Sequence, residues 1–221
     1  MANFKPLKKY LLILIDQFSE LEKFTSPFLD VGCGIGDISL HYAQKGFSGL
    51  AIDLDEQTVK IAKKNLENYP QITVEQKNVF DLMGKFKTIF VCDVLEHIED
   101  DKSEIKLAAN LLSKEGRLVV LAPAFQFLFS EWDRALGHYR RYNAEMLKSL
   151  TPHNLVFEKC RYIDSIGFLA SLINRIILKQ KNISNSQIEL WDRIMVPLSR
   201  VTDILFHQYF GKSVLAVWKA E

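Results

Sequence analysis

Cysteine is scarce, glycine and proline are few, and neither sign of charge prevails: the 221 residues include 3 Cys, 10 Gly and 6 Pro, with 28 Lys+Arg against 27 Asp+Glu. That balance excludes a global field drawing in nucleic acid or an anionic membrane, so any basic patch is local. Cys33, Cys92 and Cys160 are odd in number, far apart and unlike metal-ligand spacing. They speak against a disulfide framework and suit reduced thiols in the cytoplasm. No uncharged run approaches membrane-spanning length, and Leu11 to Ile15 is too short an apolar core for a signal peptide. Contact with a membrane surface stays open. A chain of this length with 48% apolar residues buries one sizeable core, so residues 1–221 read as a single domain with insertions.

The few glycines are concentrated. Phe28-Leu29-Asp30-Val31-Gly32-Cys33-Gly34-Ile35-Gly36-Asp37 runs from a short apolar strand through three alternate glycines into Ile38 to Ala43, where apolar residues recur at helical spacing. This reads as strand, tight turn, helix. A turn without Cβ atoms bends sharply and lets a ligand approach the backbone, while the helix behind it offers free N–H groups. Such a loop binds a nucleotide-like molecule. The dinucleotide fingerprint requires G-x-G-x-x-G, and Asp37 stands where its third glycine belongs. Asp30 and Asp37 flank the turn, which suits an ammonium or sulfonium better than a pyrophosphate. About twenty residues on, Leu50-Ala51-Ile52-Asp53 ends a second apolar run in an acid, as a ribose-binding carboxylate should.

Lys5 to Phe24 has amphipathic helical spacing and a basic first turn, so it packs on the core or anchors to a membrane surface. Strands are expected at Gly49 to Leu54, Gln71 to Glu75, Thr88 to Cys92, Arg117 to Pro123, Leu155 to Tyr162 and Lys212 to Lys219. Asp55 is placed to cap the helix after the second strand, and Ser113 to Gly116 forms a turn after a helix closing at Leu107 to Leu112. Ala124 to Asp133 is rich in aromatics, and His138-Tyr139-Arg140-Arg141-Tyr142 sets two arginines between rings. This 124–150 segment reads either as a lid gripping a substrate carboxylate or phosphate, or as a loop whose arginines pair with Glu131 and Asp133. Ile166 to Leu178 and Ile188 to Phe206, the latter broken at Pro197, make a helical insertion over 165–208 that packs on the core, covers the site, forms a homodimer face or meets a lipid-like molecule, core packing being the first expectation.

Asp93-Val94-Leu95-Glu96-His97 follows the central strand, where ligands of open parallel sheets collect, so catalytic groups belong there. His97 is the candidate general base, since its titration range suits accepting a proton from a hydroxyl; the alternative is a histidine that only starts a helix. Asp93, Glu96 and His97 are also potential metal ligands.

On the Asp30-x-Gly32-x-Gly34-x-Gly36 turn, Asp53, the Asp93 to His97 loop and the His138 to Tyr142 stretch, the chain resembles class I S-adenosylmethionine-dependent methyltransferases of the UbiG-like, type 11–12 group. The resemblance spans roughly Ser26 to Leu150. It implies an α/β Rossmann-like three-layer sandwich: a seven-stranded, mostly parallel sheet whose last strand inserts antiparallel between the fifth and sixth. It implies S-adenosyl-L-methionine as cofactor, bound by Asp30, Gly32, Cys33, Gly34, Gly36, Asp53 and Asp93, with Leu54 against the adenine. Asn78 or Asp81 would meet the adenine amino group, and the Val79 backbone its ring. Some ubiquinone-pathway relatives hold magnesium at the loop matching Asp93, Glu96 and His97. The resemblance yields a fold and a cofactor but no acceptor; the expected reaction moves a methyl group to a small-molecule or lipid-like acceptor at oxygen, in a monomer or homodimer, and His138, Tyr139, Arg140, Arg141 and Tyr142 are the candidate acceptor contacts from their place over the site. The N/D/S-P-P-Y/F loop of nucleic-acid amino methyltransferases is absent after the fourth strand. Two rivals stand beside this reading: a nicotinamide-dependent oxidoreductase, opposed by the missing glycine and the lack of a Tyr-x-x-x-Lys pair, and a cofactor-binding regulatory protein without turnover.

Overall fold

A computed structural model describes residues 25–173, 196–206 and 209–221. The expected N-terminal helix up to residue 24, the end of the first insertion helix from residue 174, the 179–187 segment and the start of the second insertion helix, residues 188–195, lie outside the described residues. The strands are β1 Phe28–Val31, β2 Gly49–Asp53, β3 Ile72–Gln76, β4 Phe86–Cys92, β5 Leu112–Pro123, β6 Leu155–Ile163 and β7 Ser213–Ala220. Between them run α1 Asp37–Ala43, α2 Glu56–Asn65, α3 Asp101–Asn110, α4 Glu131–Ala135, α5 Ala144–Ser149, α6 Ser165–Ile173 and α7 Val196–Phe206. The sheet order is β3-β2-β1-β4-β5-β7-β6. β1 to β5 pair in parallel, and β7 lies antiparallel between β5 and β6.

Strand alternation sends neighbouring side chains to opposite faces. On β4, Phe90 and Cys92 join the layer containing Phe28, Tyr42 and Val59, while Ile89 and Val91 join the layer containing Leu29, Ile105 and Trp218. Tyr42 of α1 stacks on Phe90 at 4.7 Å between ring centroids, with Phe28 tilted against Tyr42 and edge-on to Phe90. A sheet buried on both faces explains why its strands read as continuous apolar runs rather than alternating ones.

Helix starts follow local chemistry. Asp55 accepts the Thr58 N–H at 2.8 Å, Asp100 the Ser103 N–H at 3.1 Å and Asn143 the Met146 N–H at 2.8 Å. Each satisfies a donor the first turn leaves orphaned. α7 is described from Val196, so the expected break at Pro197 adjoins residues outside the described ones. The expected turn at Ser113 to Gly116 is a bulge inside β5. Leu112 already pairs with Phe86, the next partners are Thr88 and Arg117, and Glu115 takes φ 63° to bring the chain back into register.

Candidate active site

The strand order reverses between β1 and β4, and at such a switch point a crevice opens beyond the carboxyl ends of the strands. The loops leaving β1 and β4 meet there. Gly32, Gly34 and Gly36 take φ of 65°, 53° and 88°. A Cβ on Gly32 would stand 2.4 Å from Val94 Cγ2, so the two loops pack without room for a methyl group. A Cβ on Gly34 would meet nothing within 4 Å. Gly34 borders open space, the room a nucleoside needs. The Cys33 N–H donates to Ile52 O and the Gly36 N–H to Cys33 O, both at 2.9 Å, fixing the bend. Burial, then the charges of Asp30 and Asp53, push the Cys33 thiol up, which makes it a neutral filler of the turn.

Asp53 ends β2 beside this turn. Its Oδ2 accepts the Gly34 N–H at 2.8 Å and its Oδ1 the Asp55 N–H at 3.0 Å. A carboxylate accepting one bond at each oxygen retains half of its acceptor capacity, enough for a pair of hydroxyls. Leu54 next to it and Phe80 beyond β3 are both nearly two-thirds exposed, at 65% and 63%. Asn78 caps a short turn over Val79–Asp81 by accepting the Phe80 N–H at 3.0 Å; Val79 is buried and Asp81 exposed. Asp30 is 1% exposed, on the face of β1 that α1 covers, and accepts the Ser39 hydroxyl at 2.7 Å. Burial raises its carboxyl to about 7 against the lowering effect of the Ser39 hydrogen bonds. The Ser39 bond ties the strand to α1 beneath the turn, and the expected hold on a ligand ammonium, directly or through water, is not tested by it.

Asp93 leaves β4 in the left-handed region, φ 53°, with its N–H donating to Leu121 O at 2.9 Å. Phe125 after β5 and Asp164 after β6 share that conformation, at 63° and 64°. Left-handed side-chain-bearing residues cluster where surrounding structure over-determines them, typically at sites. The Asp93 carboxyl stays open to solvent with protein packed around it. This crowding raises it to about 6, against His138 and Lys212, whose charges lower it.

Three side chains close around the next residues. Glu96 is 2% exposed, and its Oε2 meets no hydrogen-bond partner among the described residues. Burial, then Asp93, push its carboxyl well above the ordinary value. The His97 and His138 rings meet edge to face at 4.6 Å, and shielding by protein, then His138, lower the His97 pKa. His138 arrives from the 124–150 segment, its Nδ1 3.1 Å from Asp133 Oδ1. Ligand atoms of Glu96, His97 and His138 lie within 4.8 Å of one another. Asp93, which the sequence offers with Glu96 and His97 only as a possible ligand set beside an expectation of no metal, is not in this group.

The aromatic and basic segment is fastened rather than poised. Arg141 is buried and donates to both oxygens of Asp133, Nε to Oδ1 at 2.9 Å and Nη2 to Oδ2 at 3.0 Å. Arg140 donates to Asp101 Oδ2 at 2.6 Å and to Glu99 O at 2.7 Å. Tyr142, fully buried, donates to either Asp101 Oδ2 or Leu95 O at 2.9 and 3.1 Å, and the Tyr139 N–H donates to Glu96 O at 2.7 Å. Of the five residues expected to touch an acceptor, Arg140, Arg141 and Tyr142 are engaged internally; the loop-holding reading is the one their bonds support. Tyr139 alone is more than half exposed. A wall of rings lies beside them: Phe125 stacks on Tyr162 at 4.7 Å and meets Phe168 at 5.5 Å. Sequence reasoning missed the partnerships of Val94 with Gly32, Asp101 with Arg140 and Lys212 with Asp93, each joining residues far apart along the chain, and that of Ser39 with Asp30 across the turn.

Fold and site together define a Rossmann-like protein with a nucleoside crevice over a glycine turn. The model of the methyltransferase domain family matches residues 6–159, more than half of the sequence. The chain belongs to that family. It is 35% identical over 120 residues to the ubiquinone biosynthesis O-methyltransferase of Xanthomonas euvesicatoria pv. vesicatoria (strain 85-10), a match covering 52% of this chain and 50% of that one. It thus spans about half the length of the curated relatives it matches. Among solved structures it resembles the N-methyltransferase NodS from Bradyrhizobium japonicum WM9 in complex with S-adenosyl-L-homocysteine, with TM-score 0.58 and 16% identity over 95% of this chain and 84% of that one. The [4+2]-cyclase SpnF superposes with TM-score 0.65 at 16% identity, covering 95% and 79%. Such distant likeness shows the fold, and the fold hosts more than one chemistry. The nucleoside crevice fits the family's cofactor: Gly34 is open, and Asp53 has acceptor capacity to spare.

Proposed function

We propose that this protein, in the cytoplasm, transfers a methyl group from S-adenosyl-L-methionine to a hydroxyl of a small, lipid-like acceptor. The observation that carries the reading is the Asp53 carboxylate bonded to the Gly34 N–H across an open glycine turn. When bound, the cofactor supplies an electrophilic methyl group on a sulfonium. The chain's own work is alignment, exclusion of water and removal of a proton. Asp53 holds the ribose hydroxyls, Leu54 and Phe80 supply apolar surface for the base, and Asp93 brings negative charge near the cationic centre. His97, its pKa lowered, is neutral near pH 7 and able to accept the acceptor's proton.

The acceptor class follows from the rings of Phe125, Phe127 and Phe168 and from apolar surface on α7, where Leu198, Val201, Ile204 and Leu205 are half or more exposed. No helix among the described residues is long and apolar enough to cross a membrane. The relatives titled ubiquinone biosynthesis O-methyltransferase favour a hydroxylated ring as acceptor. The test is calorimetric titration with S-adenosylhomocysteine and with NAD, followed by transfer of labelled methyl to a panel of polyprenyl phenols and catechols. Binding of S-adenosylhomocysteine alone, with label entering an ether, is expected. Failure to bind it would refute the reading, and label appearing only in amines would overturn the oxygen assignment.

A further inference from the structure

We propose that Asp203 is a positioning residue for the methyl acceptor: acting through the corner after β6, it sets Phe168 in the ring wall, a role that rests on the acceptor reading above. α7 is a helix turned inside out. Its described side chains that face the protein are polar, with Ser199 fully buried, Asp203 5% exposed and Thr202 half-buried, whereas Leu198, Val201, Ile204 and Leu205 are exposed. Apolar burial is a weak hold along this stretch, and polar bonds set where the helix lies.

Those polar groups all reach the corner where β6 ends. Asp164 takes φ 64° there, and successive N–H groups at a left-handed corner form a concavity suited to an anion. The Asp203 carboxylate fills it, Oδ2 accepting the Asp164 N–H and Oδ1 the Ser165 N–H, both at 2.8 Å. Ser199 donates its hydroxyl to Asp164 Oδ1 at 2.9 Å and accepts the Ile166 N–H at 3.3 Å, and the Ser165 and Thr202 hydroxyls pair at 2.6 Å. Asp164 Oδ1 also accepts the Gly167 N–H at 2.9 Å, and a Cβ on Gly167 would collide with the Asp164 carboxyl. The first turn of α6 is closed directly on this cluster, and bonds from α7 hold the left-handed corner in place.

The corner in turn fixes the wall. The Phe168 N–H donates to Asp164 O at 2.9 Å, and the Phe168 ring meets Phe125 at 5.5 Å, Phe127 at 6.1 Å and Phe210 at 5.1 Å. The Lys212 N–H donates to Asp164 O at 3.0 Å and the Ala124 N–H to Lys212 O at 2.8 Å, so the same corner is tied to the residue before Phe125. Removing the Asp203 carboxylate strands two buried N–H groups and lets Phe168 shift against Phe125. The Gly34 turn and Asp53 follow β1 and β2, across the sheet from β6. An apolar acceptor therefore feels the change and the cofactor does not.

The test uses the full chain and a prenyl catechol that wild type methylates, with S-adenosylhomocysteine titration reporting on folding and on the cofactor crevice. Asp203→Asn turns an amide NH2 toward a backbone N–H; it should raise KM for the catechol at least about tenfold, change kcat less than about threefold and leave S-adenosylhomocysteine affinity unchanged. Ser199→Ala, a smaller deletion on the same face, should raise KM by less. Because Asp203 acts through Phe168, Phe168→Leu should raise KM too, and the double variant should be no worse than the more affected single one. Unchanged KM in either Asp203→Asn or Ser199→Ala, additive effects in the double variant, or S-adenosylhomocysteine affinity falling together with KM overturns the proposal. Wild type that methylates no acceptor sinks the function proposed above instead. A fluorine label on the Phe168 ring then reads the positioning by itself: a fluorine NMR signal moved by Asp203→Asn supports it, and one left in place overturns it.

Discussion

Two neighbouring glycines should respond oppositely to the same added methyl. At Gly32, φ 65° sets an L-residue in the left-handed region, about 1–2 kcal/mol, and its Cβ would press on Val94 Cγ2 at 2.4 Å, an overpacking of about 1–3 kcal/mol. Gly32→Ala should therefore lose about 2–5 kcal/mol of folding stability. At Gly34, φ 53° carries the same backbone cost, but no atom lies within 4 Å of the new methyl. Gly34→Ala should lose only about 1–2 kcal/mol of stability. Its methyl instead projects into the open space assigned to the nucleoside. S-adenosylhomocysteine affinity should fall by about tenfold or more, the equivalent of an overpacking cost of at least about 1.4 kcal/mol. Urea unfolding measures the first quantity and calorimetric titration of the folded variants the second. Gly34→Ala protein that binds S-adenosylhomocysteine as tightly as wild type would refute the location of the crevice, and equal stabilities of the two variants would refute the Val94 contact.

Asp53→Ala should weaken S-adenosylhomocysteine binding by about 1–3 kcal/mol, the scale of lost charged hydrogen bonds, and unchanged affinity by calorimetry would remove Asp53 from the ribose site. Asp30 titrates near 7 when folded against 3.8 unfolded, so its favourable contribution is complete below about pH 4 and is lost as pH rises through 7. Wild type should accordingly lose up to about 4 kcal/mol relative to Asp30→Asn between pH 4 and pH 8, and parallel stability–pH curves from urea unfolding would contradict this. Arg141→Met leaves the Asp133 carboxylate buried and short of its main partner; a loss of about 3–5 kcal/mol is expected, and a melting temperature unchanged from wild type would show that the segment does not depend on this pair. His97→Ala should lower methyl transfer while leaving S-adenosylhomocysteine affinity near wild type, and full-rate turnover would exclude His97 as base.

The nucleoside side of the site was legible because its chemistry is local. A strand ending in an acid, three glycines at alternate positions and a second strand ending in Asp53 need only backbone geometry within each βα unit to become a turn and its partner. The fastening of the 124–142 stretch was less so. Its arginines read equally well as substrate clamps or internal pairs, and what decided between them was Asp133 and Asp101 becoming enclosed with Arg141 and Arg140. A charge that loses water must find its partner inside, and no spacing rule says which partner that is.

The linear chain by itself determined the alternation of strands and helices, the caps at Asp55 and Asn143, and a cofactor turn without side chains, because each depends on residues within a few positions of one another. Tertiary structure alone decided that Val94 seals Gly32, that Asp30 is buried against Ser39, and that His138 stands beside His97 and Glu96. Those pairings join separate crossings of the sheet, and only the order in which its strands lie side by side sets their distances.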